Sequence, residues 1–109
     1  LSPYTGQEIR KASELDIDHL VPLSHAQRNG GAKWSRQRKR QFANDPQNLL
    51  VVEAGVNRAK GDQAPDQWRP PRRGFWPEYA RRWRAVKDKY QLRISPAEEA
   101  ALREMAGGR

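Results

Sequence analysis

The sequence predicts an α+β fold in which a short β-hairpin and the helix after it form a ββα core, flanked by further helices. Three patterns carry this. "LDIDH" alternates apolar and acidic residues with the period of a half-buried strand, and "NLLVV" is a second brief β-prone run. Tyr79, Trp83, Val86 and Tyr90 recur every three or four residues on one helical face. An aromatic stripe at that spacing is core far more often than a base-stacking platform, so a C-terminal aromatic helix is expected to pack on the domain.

The elements follow in order. Residues 1–14 are polar, carry one turn signal at Tyr4-Thr5-Gly6, and read as an irregular lead-in. Residues 15–21 form the first strand, and Pro22 forbids continuing its ladder. Ser24 is positioned to cap a helical turn over "HAQR" that Gly30-Gly31 stop, and Ser35 to cap a second short helix ended by Asn44-Asp45-Pro46. Residues 48–52 pair back as the second strand of a hairpin with a long insertion, and "EAGVNRAKGD" follows as a helix stopped at Gly61. "RPPRRG" is a stiff basic connector. The aromatic helix runs from Pro77 to about Tyr90, and Ser95 with Glu98 makes a capping box for a last helix that Gly107-Gly108 end. The 109 residues are thus expected to form a single domain: lead-in 1–14, ββα core 15–62 with a basic insertion at 24–43, and connector plus C-terminal helices over 63–109.

Composition narrows the function. A net charge of +8 and a pI near 10.4 point to a polyanionic partner, nucleic acid first and an anionic membrane surface second. The basic helices lack a clean amphipathic insertion face, which counts against the membrane surface. Without Cys there is neither a disulfide framework nor a thiolate metal site. No run approaches the roughly 18 apolar residues that span a bilayer, and no signal peptide is visible. The chain opens on Leu1 rather than Met, so a processed product or an excised piece is expected.

The chemistry-bearing residues lie on the ββα elements. Asp18 ends the first strand beside His19, and Asn57 and Lys60 lie on the following helix. Asp18 and Asn57 offer hard oxygen ligands that, completed by water and phosphate, suit Mg²⁺ or Mn²⁺ and fit structural zinc poorly. His19 can accept the proton of an attacking water near neutral pH. A metal that polarises a phosphate oxygen opposite such a base is what phosphodiester hydrolysis requires. Asp16, two residues before Asp18 on the same strand face, is either a supporting residue behind the metal ligands or simply exposed. His25 has no partner motif, and a surface or packing role is expected.

"DIDHLVPLS", followed after a basic insertion by "NDPQNLLVVEAGVNRAKGD", resembles the HNH (ββα-metal) endonuclease superfamily over roughly residues 14–71. It is similar to the His-Asn-Asn variant found in the HNH domain of RNA-guided CRISPR nucleases. It resembles still more the small bacterial HNH-family proteins related to the nuclease domain of modification-dependent type IV restriction enzymes. The resemblance implies Asp18 and Asn57 as metal ligands, with His at the second position in many relatives, and His19 as general base. Asn48 would brace the loop and help orient His19, while Lys60 would meet the scissile phosphate. A bland alternative for Lys60 is a helix C-terminal cation favoured by the dipole. The implied products carry 5′-phosphate and 3′-hydroxyl ends, and small bacterial relatives often follow a signal peptide, so the resemblance points to secretion or periplasmic residence, with the cytoplasm as the alternative that the residues themselves leave open.

Arg28, Lys33, Arg36, Arg38, Lys39 and Arg40 lie in the insertion with no acid between Arg28 and Arg40, and Arg58, Arg69, Arg72, Arg73 and the Arg81-Arg82-Arg84 face add further charge. As phosphate contacts they would position duplex DNA without reading its sequence. The expected function is therefore a metal-dependent, weakly sequence-specific DNA endonuclease, with RNA as a further substrate. The competing reading is a non-catalytic nucleic-acid-binding module that keeps the fold.

Overall fold

The computed structural model describes residues 1–107. It is a small α+β protein with one two-stranded antiparallel sheet. β1 (Leu15–His19) pairs with β2 (Leu49–Glu53) so that Leu15 faces Glu53 and His19 faces Leu49. Among the described residues the five α-helices are α1 (Leu23–Ala26), α2 (Arg36–Ala43), α3 (Ala54–Lys60), α4 (Trp76–Lys89) and α5 (Pro96–Met105).

Locally encoded signals form as the sequence predicts. The Ser35 hydroxyl accepts from the Arg38 N–H at the start of α2, and Ser95 and Glu98 close a reciprocal capping box on α5. Gly61 ends α3 at φ 55° and Gly107 follows α5 at φ 90°, backbone that favours glycine; Gly108 lies outside the described residues. Two boundaries differ. Ser24 does not cap α1, because Pro22 occupies that position, and its hydroxyl instead donates to Asp62 at 3.3 Å. The chain then runs into a π-type turn over Gln27–Gly31, with Gly30 at φ 129°. Asn48 belongs to a 3₁₀ turn (Pro46–Asn48) that leads into β2 rather than to the strand itself.

The aromatic helix packs on the core, burying Tyr79, Trp83, Val86 and, just past its end, Tyr90. The lead-in is not peripheral. Tyr4 is fully buried between the rings of Trp68, Phe75 and Tyr79, and its carbonyl accepts from the Arg72 N–H at 2.8 Å. A second aromatic cluster of Trp34, Phe42 and Tyr90 ties α2 to the end of α4.

The sheet presents the opposite face from the one its alternation suggests. Ile17 is 59 % exposed, whereas Asp18 is 4 % exposed. A period of two fixes which residues share a face, but not which face is covered. Here α3 packs on the sheet and brings Asn57 and Lys60 to the face of Asp16 and Asp18.

Candidate active site

Asp18, His19 and Asn57 line one open cleft of about 390 Å³, bordered by Ile17, Pro22, Leu23 and Asp62. β1 delivers the first two side chains and α3 the third. The hairpin register keeps the end of β1 against the start of β2, whose far end leads directly into α3.

Asp18 is the most constrained of them. Its Oδ2 accepts from the Tyr4 hydroxyl and from Lys60 Nζ at 2.7 Å, while Oδ1 has no hydrogen-bond partner among the described residues. Burial, and the nearby Tyr79 and Asp18, raise the Tyr4 hydroxyl well above its ordinary value, so Tyr4 stays a neutral donor to the carboxylate.

Lys60 does not occupy the position expected of it. It is fully buried, and its ammonium donates to Asp18 Oδ2, to His19 O and to Leu20 O, the last two at 2.8 Å. Three donors meet three acceptors, which leaves none for a phosphate. Burial pushes its pKa down and Asp18 pulls it back, with a net lowering. Lys60 is therefore a buried brace on Asp18 and the end of β1, neither the phosphate contact the resemblance implies nor an exposed helix-end cation.

His19 is held by an element that no pattern in the sequence points to. Its Nε2 lies 2.8 Å from the carbonyl oxygen of Ala43, at the end of α2. A carbonyl can only accept, so Nε2 carries the hydrogen, and in the neutral ring Nδ1 is then the nitrogen with the lone pair. Asn48 is fully buried and braces Val21, two residues beyond His19, its Oδ1 accepting from the Val21 N–H at 2.7 Å and its Nδ2 donating to Val21 O at 3.0 Å. Its backbone carbonyl also accepts from the Leu20 N–H at 2.9 Å. Asn48 thus fixes the loop just beyond His19, whereas the direct contact to the ring comes from Ala43.

Asp16 is exposed, and its Oδ2 accepts from Asn57 Nδ2 at 2.7 Å. With its nitrogen committed there, the Asn57 amide oxygen is free for another partner. Among the described residues no group of three or more His, Cys, Asp or Glu side chains converges on a metal-binding geometry. Of the oxygen-bearing side chains that line this cleft, Asp62 is engaged by Ser24 and Arg28, which leaves Asp18 and Asn57 as a pair that suits a hard cation completing its shell with water and phosphate.

The basic residues divide by pairing. Arg28 meets Asp62 at 3.1 Å, Arg69 meets Glu104 at 3.0 Å, Arg81 and Arg82 share Glu78, and Arg84 meets Glu99 at 2.6 Å. Lys33, Arg36, Arg38, Lys39, Arg40, Arg58, Arg72 and Arg73 have no acidic partner among the described residues, although Arg38 lies over Trp34 and Tyr90 and Arg73 over Trp76. The uncompensated charge is thus concentrated on and before α2, whose last residues reach the cleft through Ala43, while the α4 arginines are largely neutralised within the chain. His25 lies away from the cleft in a packing role, buried against Trp83 and 3.6 Å from Glu98. No helix among the described residues is long and apolar enough to cross a membrane.

A family model described as the C-terminal domain of GmrSD restriction endonucleases matches residues 2–105. A protein of Arthroderma benhamiae, named only as an uncharacterized secreted protein, is 46 % identical over 106 residues, which cover 95 % of this chain and 52 % of that protein. The chain spans about half the length of that relative. No solved structure matches.

Proposed function

The chain belongs to the family of C-terminal domains of GmrSD restriction endonucleases, and from that premise we propose that it is a metal-dependent endonuclease of the HNH type, hydrolysing phosphodiester bonds of duplex DNA. The observation that carries this reading is the tethered imidazole: His19 gives Nε2 to Ala43 O and faces a cleft shared with Asp18 and Asn57.

In this mechanism His19 Nδ1 takes a proton from water as the oxygen of that water attacks phosphorus, and the bond to the 3′ oxygen breaks; the departing alkoxide takes a proton from solvent, giving a 3′-hydroxyl and a 5′-phosphate. Ala43 O keeps the ring from turning and stabilises the imidazolium that forms. Asp18 through Oδ1 and Asn57 through its amide oxygen would hold Mg²⁺ or Mn²⁺. When bound, such an ion supplies positive charge to the phosphate and to the departing oxygen. Lys60 and Tyr4 fix Asp18 from behind, and Asp16 fixes the Asn57 amide, the supporting role left open by the sequence. Lys33, Arg36, Lys39 and Arg40 would hold the backbone of the nucleic acid, whereas Arg69 and the paired α4 arginines drop out of that set. The family match supports treating residues 2–105 as one functional domain, and the description of the Arthroderma benhamiae relative as a secreted protein supports secretion.

The test is incubation with supercoiled DNA, linear DNA and RNA in Mg²⁺, Mn²⁺ or EDTA, with metal binding followed by calorimetry for the intact protein and for Asp18→Asn. Nicking of DNA that EDTA abolishes, together with at least tenfold weaker metal binding by the variant, is expected. Salt-sensitive DNA binding without cleavage in any metal would establish the non-catalytic module instead.

A further inference from the structure

Beside the cleft lies a second concavity of about 390 Å³, walled by Leu23 and Ala26 of α1, Gln27 and Gly31 of the π-type turn, Trp34, and the inner side of α2. Its floor is apolar and aromatic, and its rim carries Arg36, Lys39 and Arg40. Two residues join it to the candidate active site: Leu23 lines both hollows, and Ala43, which holds His19, lines this one. The volume is that of a small-ligand pocket, about 300–1,000 Å³, and far below what a folded partner would need.

We infer that this hollow is a nucleobase pocket, taking one unstacked base of a single-stranded segment of the nucleic acid while the rim cations hold the phosphates on either side of it. Three observations converge on that occupant. Apolar and aromatic walls offer a surface on which any base can pack, as single-strand-binding grooves do. The rim cations have no acidic partner among the described residues, in contrast to the arginines of α4, so their charge is available to a polyanion. The shared Leu23 and the Ala43 contact place the pocket next to His19, within reach of a strand whose phosphate lies there. Gly31 lets the wall close tightly on Trp34: a Cβ there would come within 3.2 Å of the Trp34 ring and 3.0 Å of the Ala26 carbonyl.

The inference deepens the endonuclease reading and rests on it for the strand's path, yet its test needs no cleavage. Fluorescence anisotropy at fixed salt, in EDTA, would compare a short single-stranded DNA with an abasic strand of the same length and charge. The intact protein is expected to bind the base-bearing strand about tenfold more tightly. Gln27 is exposed on the pocket wall, so Gln27→Trp fills the hollow without disturbing the core; it should erase that preference and leave abasic binding unchanged. Lys39→Gln should weaken both strands equally. Equal affinity of the intact protein for the two strands, or a preference that survives Gln27→Trp, would overturn the pocket. If base preference holds but no nucleic acid is cut in any metal, the endonuclease reading fails while the pocket stands; cleavage without base preference gives the reverse.

Discussion

Replacing Lys60 with Met removes an ammonium that is fully buried and donates to three acceptors. The carbonyls of His19 and Leu20 lose a partner, and the Asp18 carboxylate is left with the Tyr4 hydroxyl alone. Breaking a buried ion pair by removing one partner costs about 3–5 kcal/mol. Because Asp18 keeps one donor and borders the cleft, the lower end applies, about 3 kcal/mol. With a urea m-value of about 2 kcal/mol/M, the unfolding midpoint should fall by about 1.5 M. Urea titration followed by tryptophan fluorescence at pH 7 reads this directly, and Asp18→Asn combined with Lys60→Met should recover part of the loss because no unpaired charge remains. A phosphate-contacting lysine would behave differently, changing stability by less than about 0.5 kcal/mol while weakening DNA binding. That second outcome would refute the buried-brace assignment.

Two further outcomes follow from the electrostatics. Burial pushes the Glu98 carboxyl up, but hydrogen bonds from His25, Lys87 and the Ser95 N–H more than offset this and hold it at about 2, against an ordinary 4.5. A depressed carboxyl contributes stability above about pH 4.5 that is lost as pH falls through 2, here up to about 3 kcal/mol, so wild type should lose stability more steeply than Glu98→Gln between pH 5 and 2; parallel curves in acid denaturation would contradict the network. Arg40→Gln should lower the slope of log K against log salt for duplex DNA by about one, whereas Arg82→Gln, whose charge is already matched by Glu78, should leave it nearly unchanged. Equal slopes for the two variants would remove the distinction between free and paired cations.

Local rules made much of the fold legible. Ser35 and the Ser95–Glu98 box start their helices from contacts three residues apart, and the aromatic stripe of α4 needs only helical periodicity to point inward. The covered face of β1 was not legible, because what covers it is α3, forty residues further along the chain, together with Tyr4 from the lead-in. Asp18, His19 and Asn57 were legible as a group and do share one cleft. The tether of His19 was not, since a backbone carbonyl carries no residue identity and Ala43 reaches the ring only after a long insertion. Lys60 misled for a related reason: a lysine near a helix end reads as solvated, and only the three acceptors gathered at the end of β1 and at Leu20 just past it offset its burial. The charged residues of the sequence likewise reveal their sign but not their partners, which separate α2 from α4.

The most direct test of the catalytic reading compares the intact protein with His19→Ala on supercoiled DNA in Mg²⁺ or Mn²⁺, measuring nicking and duplex affinity side by side. Loss of a general base should lower the nicking rate by about 10²–10⁴ while affinity changes less than twofold, because His19 is not among the phosphate-holding cations. Nicking by His19→Ala at the rate of the intact protein would contradict the assignment of the tethered imidazole as the base.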